Sequence, residues 1–516
     1  MEEIYAPMKR IPRWIYVCLG ASLLFGLLIH GFMLSNKLPN HDDVAFLNSV
    51  GYTLASGRWF LYLIGLVTKV WSVPWINGLV SIGCIGVSAC FLLAGLRQTD
   101  LFSAVAVPVL LLAFPSTANV LSYMYFSGIF FCGVSMTCLA FFLIRRFRWG
   151  LPAGLALLTC ALGIYQAYMC LFAGLLLLGL LRDLLDHAEE TRAILRRIVS
   201  LCVCLLASVG LYYIILQIFL RCADQQLISY QGINSMGQLS LGDLPGLIVS
   251  AYRAIADYFV LNPPGFVTPV VRVCNCFLCL FMAFMLLAVL FGTGKRPVWR
   301  RIMALLAVAL LPLALAGIYV IAPGAKVHMV MVYQYALFYV CALALLQAFL
   351  REYQIHVRAE RVLKSIMATA TIAAILLCSV GNAITDNQAY FASRLAFNKA
   401  SAFFNRMVMR IEESGCFTPG DTLAIVGTCH TDFFGEEALY GDLEGMSGFD
   451  KASDMLDYDA GARHDFITTY VGIHAVYDDY YQWNWQQIPE IVEMPVYPAE
   501  GSIRRIGDAV IVKMGD

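Results

Sequence analysis

The chain has 516 residues, of which 60% are hydrophobic and 14% charged, with a mean hydropathy of +0.72 and a formal net charge of zero. Average soluble domains are about 45–50% apolar and about 25% charged, so this composition excludes a soluble domain and, more firmly, a disordered chain. The missing basic excess argues against a nucleic-acid partner, and the 17 cysteines, spread over the whole length, trace no disulfide framework.

A helix needs about 17–25 apolar residues to cross a bilayer. In chain order the clear runs are Trp14–Met33, Trp75–Leu96, Leu121–Ile144, Ile198–Leu220, Val271–Phe291, Ile302–Ile321, Met329–Leu350 and Ser365–Val380. Three tighter runs, Leu101–Phe114, Leu151–Ile164 and Ala167–Leu181, sit between turn signals and bring the expected number of spans to eleven. Trp59–Trp71 is apolar but short, carries Lys69 and is bounded by Gly57 and Pro74; it reads as an interfacial or re-entrant helix. The first run is full length and lacks a small-residue cleavage site, so it is expected to remain as a span.

Lys and Arg set the orientation. With eleven spans, Lys9, Arg10 and Arg13, Arg97, Arg145 to Arg148, Arg182 to Arg197, Lys295 to Arg301 and Arg351 to Lys364 all fall on one side. That side carries 19 Lys and Arg, against 7 on the other up to residue 381. The N-terminus is therefore expected in the cytoplasm, and Ser35–Pro74, Arg221–Pro269 and the region beyond Gly381 outside it. Residues 1–381 hold 26 basic and 14 acidic groups, residues 382–516 hold 9 and 21. The zero net charge thus joins a basic membrane unit, 1–381, to an acidic one, 382–516. In the latter, Asn382–Glu413 reads as a helix, Thr422–Gly427 as a buried strand and Ser502–Lys513 as a hairpin turning at Gly507-Asp508. The expected fold is an α-helical polytopic membrane protein with a small extracytoplasmic α/β C-terminal domain. Cys416 and Cys429 lie in that domain, where a disulfide and two free thiols are equally open.

The chemistry-bearing residues cluster in the outer turns. His41-Asp42-Asp43 puts two carboxylates at a membrane boundary, where they repel each other and cost desolvation. One reading is a general base whose neighbour holds a cation or tunes its pKa; the other is a helix start, with Asn40 or Asp42 capping a helix over Val44–Leu54. Arg58 in Gly57-Arg58-Trp59 offers a planar fork for phosphate and Trp59 a headgroup-depth anchor. Tyr125 enters the fourth span from the turn at Pro115-Ser116. Tyr165, Gln166 and Tyr168 form a short turn that suits either a sugar or phosphate or the end of a helical hairpin. Lys326 and His328 put a cation and an imidazole at the last outer turn. Arg253 and Asp257 read as an i, i+4 pair on an outer amphipathic helix, Leu244–Phe259. No Gly-rich phosphate loop is present.

His41-Asp42-Asp43, Gly57-Arg58-Trp59, Phe114-Pro115 and Tyr165-Gln166-Ala167-Tyr168 together resemble the type II O-antigen glucosyltransferase family, within the GT-C class of multispanning glycosyltransferases. The resemblance runs over about the first two hundred residues. It implies a bacterial inner-membrane enzyme that moves glucose, or another hexose, from a polyprenyl-phosphate donor to a cell-envelope glycan on the outer face. Asp42 and Asp43 match the acidic pair of that class, whose first outer loop supplies the base or holds a divalent metal (Mg or Mn); both roles are open. Arg58, Lys326 and Arg272 are then expected on the donor phosphate, with Tyr165, Gln166 and Tyr168 lining the donor pocket and His41, Tyr125 and His328 beside it. A flippase of lipid-linked sugar and a polysaccharide polymerase are the competing functions. Ionisable residues near the surface rather than the midplane favour the enzyme.

Overall fold

The computed structural model describes residues 11–45, 50–68, 71–186, 189–228, 242–292, 296–352, 358–428, 434, 443–449, 451–453 and 461–515. Lys9, Arg10, Lys69, Cys429 and residues 46–49 of the helix expected at 44–54 lie outside them. Among the described residues nine helices are long and apolar enough to cross a membrane, or ten if one bent pair counts as a single span. The bent pair is Leu101–Leu112 and Pro115–Ser122, which turn through 51°. Pro115 opens the second helix, and a proline can neither donate to the preceding turn nor leave the residue before it helical. Leu151–Ile164, one of the tighter runs counted as spans, lies in the helix Gly150–Ile164 of 15 residues, about 22 Å of helix against a hydrocarbon core of about 30 Å. The expected eleven thus exceeds the helices that meet a straight crossing length.

Local chemistry sets several boundaries. The Asp100 side chain accepts from the Ser103 amide at 2.9 Å and starts Leu101–Leu112. Thr268 caps Pro269–Phe291 through the Val271 amide, with Pro269 in the first turn. Trp59–Thr68 forms the expected short apolar helix, but Trp59 is buried against Phe219 with ring centroids 5.5 Å apart instead of facing outward. Leu244–Phe259 is helical as expected, with Arg253 3.4 Å from Asp257.

The largest departure is a single 56-residue helix, Arg358–Glu413, where the sequence suggests a span and a separate helix meeting at Gly381. Gly381 does not end it. A Cβ there would stand 2.5 Å from Val271 Cγ2, so the glycine serves close helix packing. Next to this helix, β1 (Thr422–Val426), β2 (Ile503–Ile506) and β3 (Ala509–Lys513) form a sheet in the order β1-β3-β2. β1 runs parallel to β3, and β2 and β3 form the expected hairpin around Gly507 at φ +61°.

Two polar networks mark opposite ends of the bundle. Arg145 grips Asp183 through both terminal nitrogens at 2.7 and 2.9 Å, Arg197 bonds Glu189 at 2.7 Å and lies 3.2 Å from Asp183, and Arg97 pairs with Glu189. Loops grouped on one side by their charge therefore meet in space. The helix Met124–Arg146 carries Arg145 at one end and Tyr125 at the other, and its 23 residues span about 34 Å. The Tyr125 end holds the cavity described next.

Candidate active site

The short helix His41–Ala45 is started by Asn40, whose side chain accepts from the Asp43 amide at 2.9 Å while its carbonyl accepts from Val44 at 3.1 Å. The capping reading thus holds for Asn40. The helix expected to run on to Leu54 gives way to turns over residues 51–57, where Gly51 and Gly57 take φ of +52° and +79°, a region that disfavours side chains.

That small helix sends the two carboxylates different ways. Asp43 is fully buried and accepts from Lys37 Nζ at 2.8 Å and Ser72 Oγ at 3.2 Å. Burial pushes its carboxyl above the ordinary carboxylate value; the Lys37 ammonium and the two hydrogen bonds pull the other way, and Asp42 adds to the rise. Asp42 keeps 23% of its side-chain surface and faces a cavity of about 600 Å³. There Tyr125 OH donates to Asp42 Oδ2 at 3.3 Å, and His41 Nε2 lies 3.6 Å from Oδ1.

Arg58 lines the same cavity. Its guanidinium carbon sits 5.1 Å from the centre of the Tyr165 ring, and its Nε is shielded from solvent without a hydrogen-bond partner among the described residues. The turn that presents it is held from behind. Gln166 donates to Ser56 O and Tyr212 OH, both at 3.0 Å, and Tyr212 OH donates to Gly57 O at 2.9 Å.

His41, Asp42, Arg58, Tyr125, Tyr165 and His328 are therefore brought together on one cavity. Gln166 stands behind the Arg58 turn, and Tyr168 is buried with its OH on Phe130 O at 2.6 Å. Arg272 lies elsewhere, donating to the Val260 and Leu261 carbonyls at 3.1 and 2.9 Å, and Lys326 is exposed and outside the lining. His328 has its Nδ1 shut off from solvent without a partner among the described residues. Burial, then the Lys326 and His41 charges, lower its pKa from the ordinary 6.5.

The sequence reading missed Ser447 and Gly448, which close part of the cavity from the acidic C-terminal region. Gly445 O accepts from the Met329 amide at 3.1 Å, and Ser447 Oγ donates to Asn119 Oδ1 at 3.3 Å. Gly448 adopts φ +80°, and a Cβ there would lie 2.2 Å from Ser122 Oγ. The run Gly445-Met446-Ser447-Gly448 was the available signal, a glycine-rich turn inside a region otherwise read as a separate unit.

A divalent ion bridged by Asp42 and Asp43 does not suit these residues. Lys37 already supplies the cation at Asp43, and among the described residues no three His, Cys, Asp or Glu side chains gather as a ligand set. The arrangement provides instead one accessible carboxylate, one guanidinium and flanking tyrosine and histidine side chains on a single cavity.

No curated protein and no solved structure matches the chain. The family model described as Glucosyl transferase GtrII matches residues 31–346, a stretch that contains every cavity residue named above except Ser447 and Gly448. With well over half its length matched, the chain belongs to the GtrII glucosyl transferase family.

Proposed function

We propose that this membrane protein transfers glucose, or another hexose, from a polyprenyl-phosphate sugar to a cell-envelope glycan, as a GT-C-type enzyme of the bacterial inner membrane. The cavity opens on the extracytoplasmic side, and the acidic C-terminal region lies there too. The observation that carries this reading is the shared cavity of Asp42 and Arg58, one base and one cation, at the end of the bundle away from the arginine cluster.

Asp42 acts as the general base. It takes the proton of an acceptor hydroxyl as that oxygen bonds to the sugar's anomeric carbon. The bond from that carbon to the phosphate oxygen breaks, and the electron pair leaves with polyprenyl phosphate. Charge grows on the phosphate during the step, and Arg58, clamped against Tyr165, is the cation available to it. The anomeric centre passes through an oxocarbenium-like state, and a single displacement inverts it. Asp43 and Lys37 hold the helix that aims Asp42.

The test is transfer by purified protein from radiolabelled polyprenyl-phosphate glucose to isolated envelope glycan. Asp42→Asn should lose about 10²- to 10⁴-fold, the usual worth of a positioned base. Transfer that survives the substitution removes Asp42 from that role. A wild type that transfers nothing yet moves the lipid across vesicles would be a flippase.

A further inference from the structure

Next to the main cavity lies a second one of about 220 Å³, with Asp257, Tyr258, Asn262, Tyr319, His328 and Tyr335 as its polar wall. His328 lines both, and the same two segments partition them: residues 328–332 and, from the C-terminal region, 445–448. Asp257 is held in place by Asn262 Nδ2, which donates to its Oδ1 at 3.0 Å, and by Arg253 at 3.4 Å. Tyr258 and Tyr335 meet edge to face with centroids 5.4 Å apart and form an aromatic corner.

A carboxylate, a carboxamide and phenols set among aromatic rings match the hydroxyls and C–H faces of a pyranose, because each sugar hydroxyl both donates and accepts. The volume falls below the about 300–1,000 Å³ of ordinary small-molecule pockets, which suits one ring and not an oligosaccharide. His328 lines this cavity, and its Nδ1 has no partner among the described residues.

We propose that the smaller cavity is the acceptor subsite. It holds one hexose ring of the acceptor glycan, and His328 on the partition directs that ring's reacting hydroxyl toward Asp42. This rests on the transferase reading above. The main cavity is then left to the donor sugar and its phosphate.

Asp257→Asn and Tyr319→Phe each change one polar group and keep the shape of the wall. With polyprenyl-phosphate glucose as donor and isolated envelope glycan as acceptor, each should raise the acceptor KM roughly three- to tenfold, as for one lost hydrogen bond, and leave the donor KM at its wild-type value. An acceptor KM unchanged in both variants overturns the subsite, and so does a donor KM that rises in step. Tyr319→Phe removes only a hydroxyl, so it reports even where Asp257→Asn weakens its helix. A wild type that releases no sugar from the donor, to glycan or to water, overturns the transferase reading itself and the subsite with it.

Discussion

Lys37 reaches across the start of the helix His41–Ala45 to Asp43, 2.8 Å away, and this contact separates two neighbouring carboxylates into one that is buried and paired and one, Asp42, that faces the cavity. The pair is asymmetric, since Lys37 keeps 27% of its side-chain surface and Asp43 none. Removing one partner strands a charge or polar group in a buried site, whereas replacing both by apolar groups often costs little. Lys37→Met should therefore destabilise the protein by about 3 kcal/mol, the lower end of the range for broken buried pairs because Lys37 is partly solvated. The double variant Lys37→Met with Asp43→Leu should recover much of that loss. Thermal unfolding in detergent measures both, and equal losses in the single and double variants would show that the ion pair is not what holds the helix.

Gly57 is the joint that presents Arg58. At φ +79° a side chain is strained, and a Cβ would stand 2.7 Å from Gln166 Nε2 and 2.9 Å from Tyr212 OH. Gly57→Ala must displace the clamp behind the turn and move the guanidinium off Tyr165. The expected result is a fall in transfer of about tenfold to a hundredfold, since small displacements of positioned groups cost that much, with the protein still folded by size-exclusion chromatography. Gln166→Leu should act in the same direction and more weakly, because it removes two hydrogen bonds without adding a clash.

Hydropathy acts locally, so most of the apolar helices were legible in the sequence, and His41, Asp42, Arg58, Tyr125, Tyr165 and His328, expected together from the turns between them, do line one cavity. The division of labour between Asp42 and Asp43 was not legible. It depends on Lys37, which pairs with Asp43, and on Ser72, 29 residues from Asp43, whose position follows from packing. Arg272 was misdirected for a related reason: a helix C-terminus exposes unpaired carbonyls, and those after Leu244–Phe259 draw its guanidinium away from the cavity. The turn at 445–448 carries no periodicity, so nothing local in the sequence ties it to Asn119 or Met329. Gly381 looks like a break by residue type and proves to be a packing contact inside one continuous helix.

At the far end of the bundle, Asp183 receives both terminal nitrogens of Arg145 and lies 3.2 Å from Arg197, with 3% of its side chain exposed. It joins Tyr168–Leu185 to Met124–Arg146 and Thr191–Cys222. Asp183→Asn leaves two guanidinium groups without their shared counter-charge, so the expected destabilisation is about 3–5 kcal/mol, read as a lower midpoint of thermal unfolding in detergent. Acceptor KM should not follow, because about 34 Å of helix separates this network from the cavity. A stability unchanged by Asp183→Asn would show that helix packing alone fixes this end.

His328 gives a pH signature of known sign. Burial first, then the charges of Lys326 and His41, place its folded-state pKa below the ordinary 6.5. Above 6.5 the imidazole is neutral in both the folded and the unfolded chain and contributes nothing to pH dependence. Between 6.5 and the folded value the unfolded chain binds more protons, so stability falls as pH falls through that window. The neutral ring both donates and accepts, whereas the protonated ring only donates, so acceptor binding should weaken along the same limb. Lys326 is exposed and outside the cavity lining, which makes Lys326→Gln a clean probe: loss of that charge raises the His328 pKa and shifts the acid limb of acceptor KM to higher pH. His328→Gln should raise acceptor KM and flatten the limb. A midpoint that stays in place in Lys326→Gln, or a limb that persists in His328→Gln, assigns the titration to another group.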